Sequence, residues 1–416
     1  MLMGISLLSL LVLSSAFVHS ANASSTLVKT VTLVGGGGMV YDSGRNEIFI
    51  GGDGVLFSDS TYNETPSGSN NSLTIEAYDS VMGELWGSVE NTQTYVFNIT
   101  VVSDTTFKTI GNIPLPYSFV PVYPSTMVYD SGKGEVFVML DNGTMLVVSD
   151  ETDEVVAQIQ GAGGATLAYD SGAGEIWVDG STAGLTAVSD STNKIVANVT
   201  VPGLSSLPGP IVYDSAKGEI WLTDNYNGEI EVISDTANQI VAKVSCPTPS
   251  CAPSLGSAIS TATWPILYDS GNGEVYAAYN PASGPNSDLT VISDSTNTII
   301  QSITLPKANG THGVYDMIYD PGNGDIIAET SGSTASPTSV PPSTFFVVSD
   351  GTTATASSGQ ATTSTSSQIS STSSSPTSTK TALSVDFVGV VAISMAVISL
   401  AFFVGPNRYR NRPYRS

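Results

Sequence analysis

The chain has 416 residues, of which 41% are hydrophobic and 12% charged, and its formal net charge is −24. That apolar share can build a substantial core, so a wholly disordered chain is excluded. With 13 Lys and Arg against 37 Asp and Glu, the chain has no basic surface for a phosphate backbone, and a nucleic-acid partner is excluded.

At the N-terminus, Ile5–Val18 is an apolar run followed by the small residues Ala21 and Ala23 of a cleavage site. Residues 1–23 therefore read as a secretory signal peptide, with an uncleaved anchor as the alternative because no positive charge precedes the run. The next segment, Thr26–Leu33 with sequence TLVKTVTL, reads as a strand. Gly35–Gly38 lacks the strand, helix and Lys of a phosphate loop and reads as a flexible connection.

From there to residue 350 the chain repeats itself. A YDSGKGEVFV-like motif opens at Tyr41, Tyr78, Tyr129, Tyr169, Tyr213, Tyr268 and Tyr319, at spacings of 37, 51, 40, 44, 55 and 51 residues. A Ser-Asp pair after an apolar run alternates with it, ending at Asp59, Asp104, Asp150, Asp190, Asp235, Asp294 and Asp350. Such periods identify an array of supersecondary units. Residues 165–201 divide into four β-rich runs, TLAYD, EIWVD, LTAVSD and KIVANVTV, separated by turn residues. Gly172 and Gly174 are expected at φ > 0 in the turn between the first two runs, and Asn46 takes the second glycine's place in the first unit.

A four-stranded sheet of this size cannot bury both faces alone, so the sheets must stack around an axis. The expected fold is all-β, a seven-bladed β-propeller over residues 24–350. The seventh unit has three strands before its composition changes, so TLVKTVTL is expected to complete it and pair the two ends of the domain. One unit fits poorly, because the segment after Asp59 is a weak strand candidate. The first blade has three strands on this reading, or the count is off by one.

Two cysteines, Cys246 and Cys251, stand in a proline-rich CPTPSC segment and read as a local disulfide. From Gly351 to Thr381, 21 of 31 residues are Ser or Thr, which describes a solvated stalk. Residues 382–405 contain the apolar run Phe387–Val404 and read as a transmembrane helix; the arginines of 406–416 mark a cytoplasmic tail.

The stretch GEIWLTDNYNGEIEVISDTANQIVAKVSC, residues 218–246, resembles the YVTN-type β-propeller repeat of archaeal and bacterial cell-envelope proteins. The resemblance covers residues 26–350 and departs from the family where its YVTN becomes WLTDN and its SPDG becomes YDSGKG. It implies the propeller fold and a surface-layer setting, and says little about activity because this fold serves many functions.

Few residues carry obvious chemistry. Only His19 and His312 are present, which argues against histidine-metal centres and Ser-His-Asp catalysis. The aspartates Asp42, Asp79, Asp130, Asp170, Asp214, Asp269 and Asp320 are calcium-competent in type, but their regular place in hairpin turns assigns them to turn capping. No cofactor is expected, and calcium is the one metal this composition would admit. Asn63, Asn70, Asn98, Asn142, Asn198 and Asn309 begin glycosylation sequons, as does Asn22 within the signal peptide.

In an antiparallel blade the 1–2 and 3–4 turns share one face, and the 2–3 turns and blade connections share the other. The long irregular segments belong to the second face, and Tyr117, Phe119, Tyr123, Trp264 and Tyr279 are candidate contacts there, with plugging of the propeller top as the alternative. The expected protein is a single-pass cell-membrane protein whose extracellular propeller binds an envelope protein or glycan without catalysis. The alternatives are a carboxylate- or calcium-dependent hydrolase or lyase and a purely structural envelope component.

Overall fold

The computed structural model describes residues 24–34, 38–52, 54–66, 73–91, 96–115, 124–180, 184–204, 209–224, 227–245, 265–279, 286–306, 313–331 and 342–351. The chain divides into a unit Met1–Ala356, which holds all of these, and a unit Ser357–Ser416, which lies outside them together with the expected stalk, membrane span and tail.

The described residues form seven four-stranded antiparallel sheets. Six are sequential meanders, and we number them as blades 1 to 6. Their first strands are Met39–Asp42, Thr74–Asp79, Pro124–Asp130, Leu167–Asp170, Ile211–Asp214 and Ile266–Asp269. Blade 7 begins with Val314–Asp320, continues through Asp325–Ser331 and Pro342–Ser349, and takes its outer strand, Thr26–Val34, from the other end of the domain. That strand runs antiparallel to the third, from Thr26 opposite Ser349 to Val34 opposite Pro342. The expected closure is what the structure has.

The first strands touch their neighbours in order, and the seventh touches the first, so they form the inner ring. Middle strands are buried along nearly their whole length, as in Glu135–Leu140 and Thr144–Ser149, whereas the fourth strand Glu154–Gln160 alternates towards solvent. Each gap between blades holds its own apolar cluster, including the gap between blades 7 and 1, where Leu33, Ile327, Phe345 and Val347 meet Met39, Ile48, Ile50 and Phe57. The residue two after the motif's Glu fills each gap towards the next blade. In blades 1 to 6 it is Phe49, Trp86, Phe137, Trp177, Trp221 and Tyr276, all fully or almost fully buried. Stacking is how sheets too small to bury two faces alone acquire a core.

Blade 1 has four strands, so neither sequence alternative for it holds. The fourth, Glu64–Pro66, is three residues long and pairs with Val55–Ser58. Its approach is held from blade 7: Lys29 Nζ donates to the Thr61 and Tyr62 carbonyls at 2.7 and 2.9 Å, and the Tyr62 hydroxyl donates to Asp325 at 2.6 Å and lies 3.1 Å from Asp320. These partners are distant in sequence, and local strand propensity does not register them.

Candidate functional site

The repeated letters converge on one face, at the joints between blades. Within each motif, the aspartate after Tyr folds its own turn: Asp79 Oδ1 accepts the amides of Val81 and Met82 at 2.8 and 3.0 Å, and Asp170 Oδ1 those of Gly172 and Ala173, both at 2.9 Å. Asp42, Asp130, Asp214, Asp269 and Asp320 do the same. Turn capping is thus the role these aspartates perform.

The second motif glycine takes positive φ, 67° at both Gly134 and Gly174, and Asn46 at 54° replaces it in blade 1. Gly172 does not adopt positive φ, contrary to expectation. What it provides is room, since a Cβ there would lie 2.6 Å from the Tyr213 hydroxyl of the next blade. The Asp-to-Glu turn therefore uses one glycine for backbone conformation and the other for passage of a neighbouring side chain.

That tyrosine links the two repeated signals. Tyr129 of blade 3 donates to Asp150, the Ser-Asp aspartate of its own blade, at 3.1 Å and faces Asp79 of blade 2. Tyr78 likewise donates to Asp104 at 3.3 Å and faces Asp42 of blade 1. Tyr169, Tyr213, Tyr268 and Tyr319 face Asp130, Asp170, Asp214 and Asp269 of the preceding blade, and Tyr41 reaches Asp320 across the closure. A ring of seven tyrosines, each between two carboxylates, encircles the molecule. Burial, then the carboxylates, raises these hydroxyls above their ordinary range, Tyr41 to about 12.

A side chain between the motif's two glycine positions adds a further cross-blade bond in four blades. Lys133 Nζ donates to the Asp190 carbonyl, Lys217 Nζ to that of Asp294, Asn272 to that of Asp350 at 3.2 Å and Asn323 to that of Asp59.

A second group of titratable side chains lies near the other end of the inner strands. The first strands of blades 2 and 7 contain bulges at Glu76 and Tyr315. Beside the second bulge, Asp316 stands opposite Glu329 in the ladder. Asp316 accepts the Met317 and Met39 amides at 2.8 and 3.1 Å, and Tyr315 donates to Glu329 and lies 3.3 Å from Ser343 Oγ. Burial, then the Glu329 charge, pushes Asp316 up to about 7, and burial alone does the same to Glu76. No three His, Cys, Asp or Glu side chains have metal-holding geometry among the described residues.

Of the expected contact residues, Tyr117, Phe119, Tyr123 and Trp264 lie outside the described residues, as do Cys246, Cys251, Asn70 and Asn309. Tyr279 ends the second strand of blade 6, at the face that carries the long connections. Asn63, Asn142 and Asn198 are exposed, and Asn98 is half-buried within the third strand of blade 2. The Asn142 carbonyl oxygen accepts the Thr144 amide at 2.9 Å, and that of Asn198 accepts the Thr186 hydroxyl at 3.2 Å.

A repeated feature of the outer rim was missed from the sequence. Val28, Ile110, Val156, Val196, Val241 and Ile300, each between 49% and 60% exposed, are the extra residues of bulges in the outer strands of blades 2 to 7. In five of the six the signal was a pair of adjacent aliphatic residues, such as Val155-Val156 or Ile195-Val196, where strict alternation would place one polar residue; Ile110 follows Thr109 and lacks it.

No family model matches the chain, and no curated protein matches it. Among solved structures, hydrazine synthase of Kuenenia stuttgartiensis is similar at a TM-score of 0.42 and 11% identity, over 51% of this chain and 56% of that one. The match thus spans little more than half of that protein's length, and a likeness of this degree carries nothing about activity. The seven-bladed propeller rests on strand order and ring closure.

Proposed function

We propose that this chain is a cell-surface propeller that binds an envelope protein or glycan without catalysis, through the face bearing its long connections. The observation that supports this most is the asymmetry of the two faces. On one, the turns between first and second strands are all four residues long, as at 131–134 and 171–174, and their polar groups are committed to capping and blade-to-blade bonds. On the other, the connections range from 141–143 to 246–265. A uniform scaffold below variable loops is the usual construction of a recognition surface.

The expected signal peptide, Ser/Thr-rich stalk and apolar run of residues 387–404 support display outside a membrane. Fully extended, the stalk would reach about 100 Å, enough to clear a surface coat. Glycans on the exposed sequon asparagines, a disulfide between Cys246 and Cys251 and descent from envelope propellers of the YVTN type belong to the same reading.

The test is binding of the full chain to isolated envelope material and to glycan arrays, with the segments 116–123 and 246–264 replaced by Gly/Ser linkers. Loss of binding with unchanged melting supports the proposal; binding indifferent to both replacements overturns it.

A hydrolase or lyase working through carboxylates is the second reading, and the Asp316–Glu329 pair favours it, because two carboxyl groups held above their ordinary range are suited to acid–base chemistry. Glycosidic or polysaccharide-cleaving activity abolished by Asp316→Asn and Glu329→Gln, with binding retained, would replace the first reading by this one.

A further inference from the structure

The joint between blades 7 and 1 differs from the other six in its chemistry. In every blade, the residue four beyond the motif's Glu position stands opposite a residue of the first strand. In blade 7, where Asp325 takes the Glu position, that pair is Glu329 and Asp316. The flanking blades have Gly51 with Gly38 and Ala278 with Pro265 there, and blade 4 has Asp179 with Thr166, so two carboxyl groups face each other only in blade 7. Ile318 and Ile327, two residues further along the same strands, pack into the apolar cluster between blades 7 and 1. Strand alternation therefore turns Asp316 and Glu329 towards the same gap.

Like charges directly opposite in a ladder are destabilising, and burial raises the cost. Glu329 is fully buried and Asp316 partly so, and among the described residues no Lys or Arg forms an ion pair with either. Asp316 nonetheless holds the joint together, because the Met39 amide that it accepts begins the first strand of blade 1.

We propose that this pair is a proton-dependent latch: Asp316 and Glu329 hold one proton between them in the folded ring, and its loss loosens blade 7 from blade 1 before any other joint opens. With the proton in place a single charge remains, and the Met39 and Met317 amides satisfy it. Without it two charges share a gap that offers no cation, and only separation of the blades readmits water.

The groups around the pair supply no other charge. Tyr315, from the first strand, donates its hydroxyl to Glu329, and the Ser343 hydroxyl of the third strand does the same. Leu33 of the outer strand stands opposite Ser343, and blade 1 contributes the Met39 amide. Asp59 and Asp320 lie at the other end of this joint, around Tyr41. Burial, then the Glu329 charge, holds Asp316 at about 7, and burial raises Glu329 as well. The two carboxyl groups titrate as a unit. The folded joint thus retains a proton that the opened joint releases. Its stabilisation is complete below the ordinary aspartate value of 3.8 and is lost as the pH rises through about 7.

The experiment is hydrogen exchange of the full chain in detergent, from about pH 5 to about pH 8, read by mass spectrometry and corrected for the intrinsic pH dependence of exchange. Protection of Met39–Asp42 should fall with rising pH, by up to about tenfold per unit as far as neutrality. Leu167–Asp170, whose joint with blade 3 has Thr126 and Met139 at the matching positions, should change far less. Glu329→Gln keeps an acceptor for Tyr315 and puts an N–H in place of the shared proton. It should abolish the pH dependence at Met39–Asp42 and melt roughly 2–3 °C above wild type near pH 8, but no higher near pH 4. If the variant does not fold, the wild-type exchange still decides. Protection of Met39–Asp42 that is flat with pH, or that falls equally at Leu167–Asp170, overturns the proposal, as does a folded Glu329→Gln that keeps the wild-type pH dependence.

Discussion

Tyr62 and Phe107 occupy the turn position that Asn193, Asn238 and Asn297 hold in other blades, and all adopt positive φ, 50° and 52° for the two aromatics. Bulky residues are disfavoured in that region, so contacts elsewhere must offset the strain. Phe107 stacks on Phe49 of blade 1 with centroids 5.8 Å apart and lies 5.3 Å beneath Arg45, while Tyr62 reaches two aspartates of blade 7. Tyr62→Phe should therefore cost about 1–3 kcal/mol by denaturant titration, because it leaves Asp325 without its 2.6 Å donor. Gly164 is a stricter position, with φ at 91° and a would-be Cβ 1.7 Å from the Asp179 carbonyl oxygen. Gly164→Ala should destabilise by more than about 1 kcal/mol in the same measurement. The repeated motif announced conserved turn chemistry along the chain but not these exceptions. A glycine that makes way for a neighbour's tyrosine reads the same as one that turns the backbone.

At the scale of elements, the outer strand of blade 7 is the one that closes the ring. Besides its ladder with the third strand, its approach is fixed to blade 6 by Ser25, whose hydroxyl lies 3.0 Å from that of Tyr276 and whose amide donates to Gln301 at 3.0 Å. Deleting residues 24–34 should expose the edge of the strand carrying Phe345 and Phe346. The expected result is loss of the single cooperative melting transition and concentration-dependent association by light scattering. The rim bulges predict the opposite kind of outcome. Val196 packs into no core cluster and contributes no ladder pair, so Val196→Lys should alter stability by no more than about 0.5 kcal/mol. Strand identity was legible where four runs alternate with turns, as in residues 165–201. It failed at Glu64–Pro66, whose support comes from Lys29 and Tyr62 rather than from its own residues.

For the whole molecule, the ring makes stability a collective property, since seven interfaces close on one another and none can open without straining its neighbours. The variable face predicts a separation of stability from recognition. Replacement of 246–264 should leave the melting temperature within a few degrees of wild type, while removal of the Trp221 side chain, Trp221→Ala, should cost about 3–5 kcal/mol.

What the sequence by itself determined is the number of blades and the manner of closure. Both follow from local turn chemistry and periodicity, which repeat along the chain whether or not it is folded. It also located the turn-capping aspartates, because an Asx turn is made by residues two or three apart. Only the tertiary structure decided what the motif's tyrosine does. Its two carboxylate partners lie in different blades, and they meet only because the ring stacks one blade against the next, which no single repeat contains.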